Sequence, residues 1–348
     1  MKKVLVIAAV TMVIAAFCTA ALAEPQVVFK NNPAGRTYYL CSSHNAHAYF
    51  AESHLGLRYA AEYFGVNIVA LGPDGWDTAE QARAVEQAIA KSPSGIITRF
   101  WDASPLAAVR KATEAGIPVV ATETRIGTSA ADIGGALTYI GLDNKQSGWD
   151  TAAELVRIAG DTGKVVCMGN WGAANTDAKL AGVKECLAQY PGWEIIAEVD
   201  DKADATAAIE AGKTVVNNYP AATAVIGLDS SSGTGLGKAM EELNKPAGSY
   251  KVVVNDREPS VLQYIEEGYI DATMCNKTAA DEYVAILIME DYNNGGIKNV
   301  PLSSNNAAAG VHGVPENMYN TVFAINRDNV KYFFADEMPN IKTDLYNK

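Results

Sequence analysis

Hydrophobic positions along the chain recur in two alternating rhythms. A short apolar run at residues 38–42 is followed by Phe50, His54, Leu57, Ala61 and Phe64. Their spacings of four, three, four and three trace one face of a helix. Gly65 closes that helix, and residues 66–71 form the next strand. Asp77 and Glu80 have the spacing of a capping box, with Val85 and Ile89 on one face of the helix they open. Ile96-Ile97 marks a third strand. Ser104-Pro105 gives an N-cap followed by proline at the first helical position. Gly116 ends that helix, and residues 117–121 form a fourth strand.

The second half repeats the alternation. Helices are predicted over 149–158, 177–189, 203–216, 261–267 and 279–293, with a further one running through 238–243. Strands are predicted over 164–168, 193–199, 222–228, 251–254 and 270–274. Strands alternating with helices imply βαβ units and parallel sheets covered on both faces. Val252-Val253-Val254 lacks polar alternation, as a doubly covered strand should. The fold class is α/β. The run is too long for one ordinary doubly wound sheet, so two similar lobes are expected.

The first 23 residues stand apart. Lys2 and Lys3 precede an apolar run over 4–16, and Ala21-Leu22-Ala23 is a small-x-small site. Together they predict a secretory signal peptide cleaved after Ala23. The apolar run is shorter than the roughly 20 residues of a membrane span. Phe17 is too large for lipoprotein processing at Cys18.

Composition narrows the function. The 348 residues carry 40 acidic and 28 basic side chains, a formal charge of −12. That balance argues against nucleic acid, which needs a basic face, and against electrostatic binding to anionic lipid. Beyond the leader the cysteines are Cys41, Cys167, Cys186 and Cys275, mostly in apolar runs and read as small core residues. Cys167 and Cys186 are the only pair close in sequence, and no pairing is assigned. No CxxC gives a redox or zinc signature.

In open α/β sheets ligands bind outside the carboxyl ends of the strands. The predicted strand ends are residues 44–50, 99–102, 123–125, 169–171, 200–201, 229–232, 255–257 and 275–277. They combine polar groups with Tyr49, Phe50, Trp101 and Trp171. Carboxylates and amides that fix hydroxyls, with aromatic faces against C–H surfaces, suit a sugar or polyol.

His44, His47 and His54 are spaced like a metal cluster, but His54 lies on the core-facing stripe of its helix, so no metal is expected. Gly233-Thr234-Gly235-Leu236-Gly237 follows a strand, with Asp256 about 20 residues on, as in a dinucleotide site. Its spacing is GxGxG rather than GxGxxG, which favours close packing and no cofactor. Ser230-Ser231-Ser232 lacks the GxSxG of a nucleophile elbow and reads as an N-cap with a cleft hydroxyl. Glu123, Asp177, Asp229 and Asp256 could supply the two carboxylates of a glycosidase, so an exported enzyme stays as an alternative.

Several motifs in order resemble the ribose-binding-protein-like family of periplasmic solute receptors of ABC transporters. They are the polar loop 43–50 ending in two aromatics, Gly116-Ile117-Pro118-Val119-Val120 leading to Glu123, and Tyr139-Ile140-Gly141-Leu142-Asp143-Asn144. Leu180-Ala181-Gly182-Val183, Val225-Ile226-Gly227-Leu228-Asp229, Val254-Asn255-Asp256 and Ile270-Asp271-Ala272-Thr273 follow. The resemblance covers about 37–330, and Val322-Phe323-Ala324-Ile325-Asn326 resembles the longer members, such as autoinducer-2 and rhamnose receptors.

The resemblance implies a type I periplasmic binding protein, with two Rossmann-like lobes joined by three crossover segments. It places lobe one at 24–142 plus 277–306 and lobe two at 143–276 plus 307–348, with the third crossover within 306–314. The strand-end rule offers His44, Asn45, His47 and Trp101 as ligand contacts, and the resemblance implies that Tyr49 and Phe50 pack on the sugar ring. Glu123 stands where the family has Asp; Arg125 lies one residue later than the family's Arg. Asp177 replaces a binding Arg of ribose receptors, which argues against ribose. Asp229 replaces an Asn, Asp256 matches an Asp, and Asn276 matches a Gln or Asn. Trp171 lies near the cleft side of its strand.

The implied function is a secreted, periplasmic, monomeric and non-enzymatic solute-binding protein. It would deliver a small polyhydroxylated ligand, first of all a monosaccharide, to an ABC transporter permease. The alternative within the fold is a receptor for a signal molecule, amine or nucleoside that feeds a sensor kinase or chemoreceptor.

Overall fold

The computed structural model describes residues 35–46, 48–302 and 309–334. The predicted leader and His47 lie outside the described residues. The first-half strands are β1 (Thr37–Cys41), β2 (Asn67–Leu71), β3 (Gly95–Thr98), β4 (Val119–Glu123) and β5 (Thr138–Leu142). The second-half strands are β6 (Thr162–Gly169), β7 (Gly192–Asp200), β8 (Ala224–Gly227), β9 (Lys251–Asn255) and β10 (Ala272–Cys275). Near the end come β11 (Asn317–Asn320) and β12 (Phe323–Asn326).

The helices are α1 (Ala51–Phe64), α2 (Thr78–Ile89), α3 (Leu106–Glu114), α4 (Asn144–Ala159) and α5 (Ala174–Leu187). They continue with α6 (Ala205–Asn218), α7 (Ser230–Glu242), α8 (Pro259–Glu267) and α9 (Thr278–Asn293).

Two six-stranded sheets result, in the orders β11-β5-β4-β3-β1-β2 and β12-β10-β9-β8-β6-β7. Each lobe is therefore a topological copy of the other, with β1–β5 matching β6–β10. All pairings are parallel except β10 with β12. Thus the α/β class and the two lobes are as the periodicity predicts. The chain crosses between lobes at 143, at 276–277 and at 321–322. The third crossover is a correction: β11 pairs with β5 of the first lobe, so lobe one takes back chain as far as Asn320 and not only to 306.

The second sheet shows why its strands lack polar alternation. Val166, Val225, Val252 and Val254 enter one apolar core. Val165, Cys167, Ala224, Ile226 and Val253 enter another on the opposite face. Alternate side chains point to opposite faces, and both faces are covered by helices. Burial of each such aliphatic side chain contributes roughly 1.5–3 kcal/mol. In the first lobe Cys41, Ile96, Val119, Ala121 and Tyr139 share a core with α2 and α3.

Local capping follows the sequence with small differences. Asp77 caps α2, accepting from the backbone N–H groups of Ala79 and Glu80 at 2.9 Å each. Gly65 ends α1 at φ 67°, where a side chain would be strained. Ser104 is not the N-cap of α3: Pro105 takes that place, and Ser104 N–H instead bonds Asp102 at 2.8 Å. β5 (Thr138–Leu142) is a strand that the periodicity reading does not assign and that enters only through its family motif.

The GxGxG segment lies inside α7, not in a loop. A Cβ on Gly235 would sit 2.5 Å from the backbone oxygen of Ala208 in α6, and one on Gly237 2.2 Å from the Tyr264 ring. These glycines let helices touch, which is a packing role. The thiols of Cys41, Cys167, Cys186 and Cys275 are buried and unpaired. Among the described residues no helix is long and apolar enough to cross a membrane.

Candidate functional site

A cavity of about 570 Å³ opens between the carboxyl ends of the two sheets. Lobe one contributes His44, Tyr49, Phe50, Trp76, Trp101 and Glu123. Lobe two contributes Asn170, Asn175, Lys179, Lys202, Asp204, Asp229, Ser231 and Asp256, among others. Leu142, Asn144 and Asn276 line it beside the crossovers.

Glu123 ends β4 with φ 61°, a left-handed backbone rare outside glycine. Its Oε1 accepts from Arg99 Nη2 at 3.0 Å and from Ser53 Oγ, while Oε2 is buried with no partner. Arg99 is fully buried. It also donates to Glu282 at 2.7 Å and to Ser42 Oγ at 3.1 Å, and its guanidinium lies 4.5 Å from the centre of the Phe50 ring. This network fixes Phe50 and one oxygen of Glu123; the other oxygen is buried and makes no hydrogen bond. Burial, opposed by Arg99 and reinforced by Glu123, pushes Glu282 up to about 7.

Asp256 follows β9 with φ 69°. Burial pushes its carboxyl up to about 6; Lys179 opposes this, and Asp229 and Glu123 add to it. Lys179 itself is buried, and its Nζ donates to the Leu228 carbonyl at 3.3 Å. Asp229 caps α7 by accepting from Ser231 N–H at 2.9 Å. Behind it Asp201 accepts from Ser232 Oγ, and burial with the nearby Asp229 raises it to about 7.

The crossover joins this wall to lobe one. Asn276 Nδ2 donates to Tyr49 Oη at 2.9 Å. A second inter-lobe link is the ion pair of Arg257 with Glu52, whose Nε to Oε1 distance is 2.6 Å. The aromatic wall runs from Tyr49 to Phe50, with centroids 5.1 Å apart, then to Trp101 at 6.2 Å and Trp76 at a further 5.3 Å.

The structure thus brings His44, Tyr49, Phe50, Trp101, Glu123, Asp229, Asp256 and Asn276 to one cavity. Four other candidates do not line it. Asn45 donates to the Gly72 carbonyl at 3.1 Å. Arg125 is buried where it donates to Asn317 and to the Ser129 carbonyl, over the Tyr139 ring. Trp171 folds back over Gly169 onto the core of the second lobe. Asp177 accepts from Gly172 N–H at 3.0 Å, because α5 begins at Ala174 and its first turn points that carboxylate into the preceding loop. His54 is buried in α1, and burial with Arg99 lowers it to about 4, so it packs as a neutral ring.

Sequence reasoning missed Trp76, Asn144, Asn170, Asn175, Lys179, Lys202 and Asp204. Lys202 and Asp204 lie within a few residues of the predicted strand ends, Asn144 follows β5, and Asn170 stands inside the strand end at 169–171, where only Trp171 is singled out. Lys179 carried no such signal, since a lysine inside a helix reads as solvated.

The profile described as a periplasmic binding protein domain matches residues 38–297. No curated protein sequence matches the chain. Among solved structures, AraP, an arabinose binding protein from Geobacillus stearothermophilus, is 26% identical with a TM-score of 0.74. That match covers 87% of this chain and 100% of AraP. A sugar-binding protein of a sugar ABC transporter from Bacillus halodurans has 24% identity and a TM-score of 0.76 over 86% of this chain and 100% of its own. GanP, a glucose-galactose binding protein from Geobacillus stearothermophilus, has 21% identity and a TM-score of 0.74 over 85% and 99%. With two topologically equivalent lobes, three crossovers, a cavity between the sheet ends and a profile spanning both lobes, the chain belongs to the periplasmic binding protein family.

Proposed function

We propose that the protein is an exported sugar receptor that carries its ligand to a membrane permease of the ABC class. The observation that carries this reading is the cavity wall itself. Tyr49 and Phe50 present aromatic rings beside the unpartnered Oε2 of Glu123, with Asp256, Asn276 and Asn144 around the same space. A ring that is apolar on its faces and hydroxylated at its rim matches that combination. Each hydroxyl donated to a carboxylate contributes about 1.5–3 kcal/mol.

Capture would work by population shift. Glu123 belongs to lobe one and Asp256 to lobe two, so a ligand gains both carboxylates only when the lobes meet around it. The lining acids Glu123, Asp204, Asp229 and Asp256 outnumber Lys179 and Lys202. That excess disfavours an anionic ligand. The sugars for which AraP and GanP are named agree with this chemistry, and the predicted leader agrees with export.

The test is a thermal-shift screen of residues 24–348 against pentoses, hexoses, deoxy sugars, polyols, amines and nucleosides. A ligand at 100 times its dissociation constant adds about 2.7 kcal/mol to stability. A shift from a sugar class supports the reading. A shift from amines or nucleosides alone replaces it with a signal receptor, and turnover of a bound glycoside replaces it with an enzyme.

A further inference from the structure

The cavity is longer than one sugar ring. Part of its lining runs from Glu123 at the end of β4 and Asp256 after β9 to Trp76 after β2 and Lys202 after β7. In the first sheet β4 and β2 are separated by β3 and β1; in the second, β9 and β7 are separated by β8 and β6. Both walls therefore span three strand spacings, about 14 Å. A single pyranose with its hydroxyls covers about half of that length. The volume of about 570 Å³ lies within the roughly 300–1,000 Å³ of small-molecule sites in general.

The far end is built, not merely open. Trp76 is 57% exposed, yet its loop is tied down. Asp77 N–H bonds the Ser43 carbonyl at 2.9 Å, and Asn45 N–H bonds the Pro73 carbonyl at 2.8 Å. Gly72 permits this at φ 124°, where a Cβ would lie 2.0 Å from the Ser42 oxygen. Trp101 stacks edge-on against Trp76, and its own loop is pinned by Thr78 Oγ1 donating to Asp102 at 2.8 Å. The Trp101 indole N–H is buried without a partner.

Across the gap, Lys202 and Ala203 hold left-handed backbones at φ 59° and 48°. Such backbones persist only where the surrounding structure over-determines them, and they cluster at active sites and ligand clamps. Asn175 and Asp204 add polar groups on the same wall.

We propose that the cleft has two ring subsites and that its preferred ligand is a neutral disaccharide. The first ring lies on Tyr49 and Phe50 between Glu123 and Asp256. The second lies on Trp101 and Trp76, facing Asn175, Lys202 and Asp204. This assignment rests on the sugar reading above and replaces the monosaccharide expected from the sequence.

The test is calorimetry on residues 24–348 with matched probes: D-xylose and xylobiose, D-glucose with cellobiose and maltose, D-galactose with lactose and melibiose, and L-arabinose with arabinobiose. One disaccharide should bind at least tenfold tighter than its monosaccharide. Trp76→Ala should bring that ratio close to one, and Asn175→Ala on the opposite wall should move it the same way. Thermal melts of both variants confirm folding, which the exposure of Trp76 favours. A monosaccharide binding as tightly as every disaccharide containing it overturns the second subsite and leaves the sugar reading standing. So does a ratio that Trp76→Ala leaves intact. No binding by any probe overturns both.

Discussion

Glu123 and Asp256 occupy the same place in the two lobes: each terminates the fourth strand of its own sheet, and each holds a left-handed backbone, at φ 61° and 69°. The conformation costs about 1–3 kcal/mol at a non-glycine residue. Its effect is to turn the chain sharply at the sheet edge and leave a carboxylate in the cleft from either side. Asparagine tolerates this backbone nearly as well as aspartate, but carries no charge. Asp256→Asn should therefore weaken ligand binding at least tenfold by calorimetry while the melting temperature stays level or rises. An unchanged affinity would remove Asp256 from the site.

Stability should fall with alkali in the ligand-free protein. Asp201 and Glu282 are raised to about 7 and Asp281 to about 8, each chiefly by burial. A carboxyl raised in the folded state binds its proton more tightly there than in the unfolded chain, so stability is lost as pH climbs through these values. His54, lowered to about 4, acts in the opposite direction, but only below about 6.5. Between pH 6.5 and 8.5 the acids alone act, and the melting temperature should drop. Asp281→Asn should flatten that slope; a flat profile in the parent protein would show these groups to be solvated.

Arg99 is the one cation among the described residues that touches both Glu123 and Glu282. Arg99→Met keeps its bulk under Phe50 but leaves two carboxylates buried without a counter-charge. Removing one partner of a buried pair costs about 3–5 kcal/mol. Chemical denaturation should show a loss of this size, and Glu282→Gln in the same chain should recover part of it.

Asp177 and Arg125 separate position in sequence from position in the site. Asp177→Ala should leave ligand affinity within about twofold, because its carboxylate serves the Gly172 backbone. Arg125→Ala should lower the melting temperature, because Arg125 ties the chain after β4 to Asn317 of β11. A large loss of affinity in Asp177→Ala, by calorimetry, would contradict the placement.

What the sequence disclosed and what it hid divide along physical lines. Strand ends are visible as apolar runs stopping at polar residues, so the rule that ligands gather there found Glu123, Asp229, Asp256 and Asn276 without coordinates. Phase within a helix's first turn is less visible: a start at Ala174 instead of Asp177 rotated that acid out of the cleft. Lys179 was hidden for a different reason. Its helix α5 lies against α4 at backbone contact, where a Cβ on Gly148 would sit 1.8 Å from the Lys179 oxygen and one on Gly182 1.9 Å from the Lys145 oxygen. The Lys179 side chain runs to the end of β8, where Nζ donates to the Leu228 carbonyl on the cavity wall, a placement that helix periodicity does not reveal. The left-handed turns at Glu123 and Asp256 were hidden because neither position is glycine.

The last strands carry a consequence for how the molecule is made. β11 covers the outer side of β5, and β12 that of β10, yet both come from the ten residues 317–326. Until that stretch leaves the ribosome, two rows of backbone N–H and C=O groups, at 138–142 and 272–275, stay open to any extended chain. Neither half can finish ahead of the other. A nascent chain halted before residue 317 would therefore be two sticky halves at once, and its successful birth depends on keeping it apart from its neighbours until the final segment arrives.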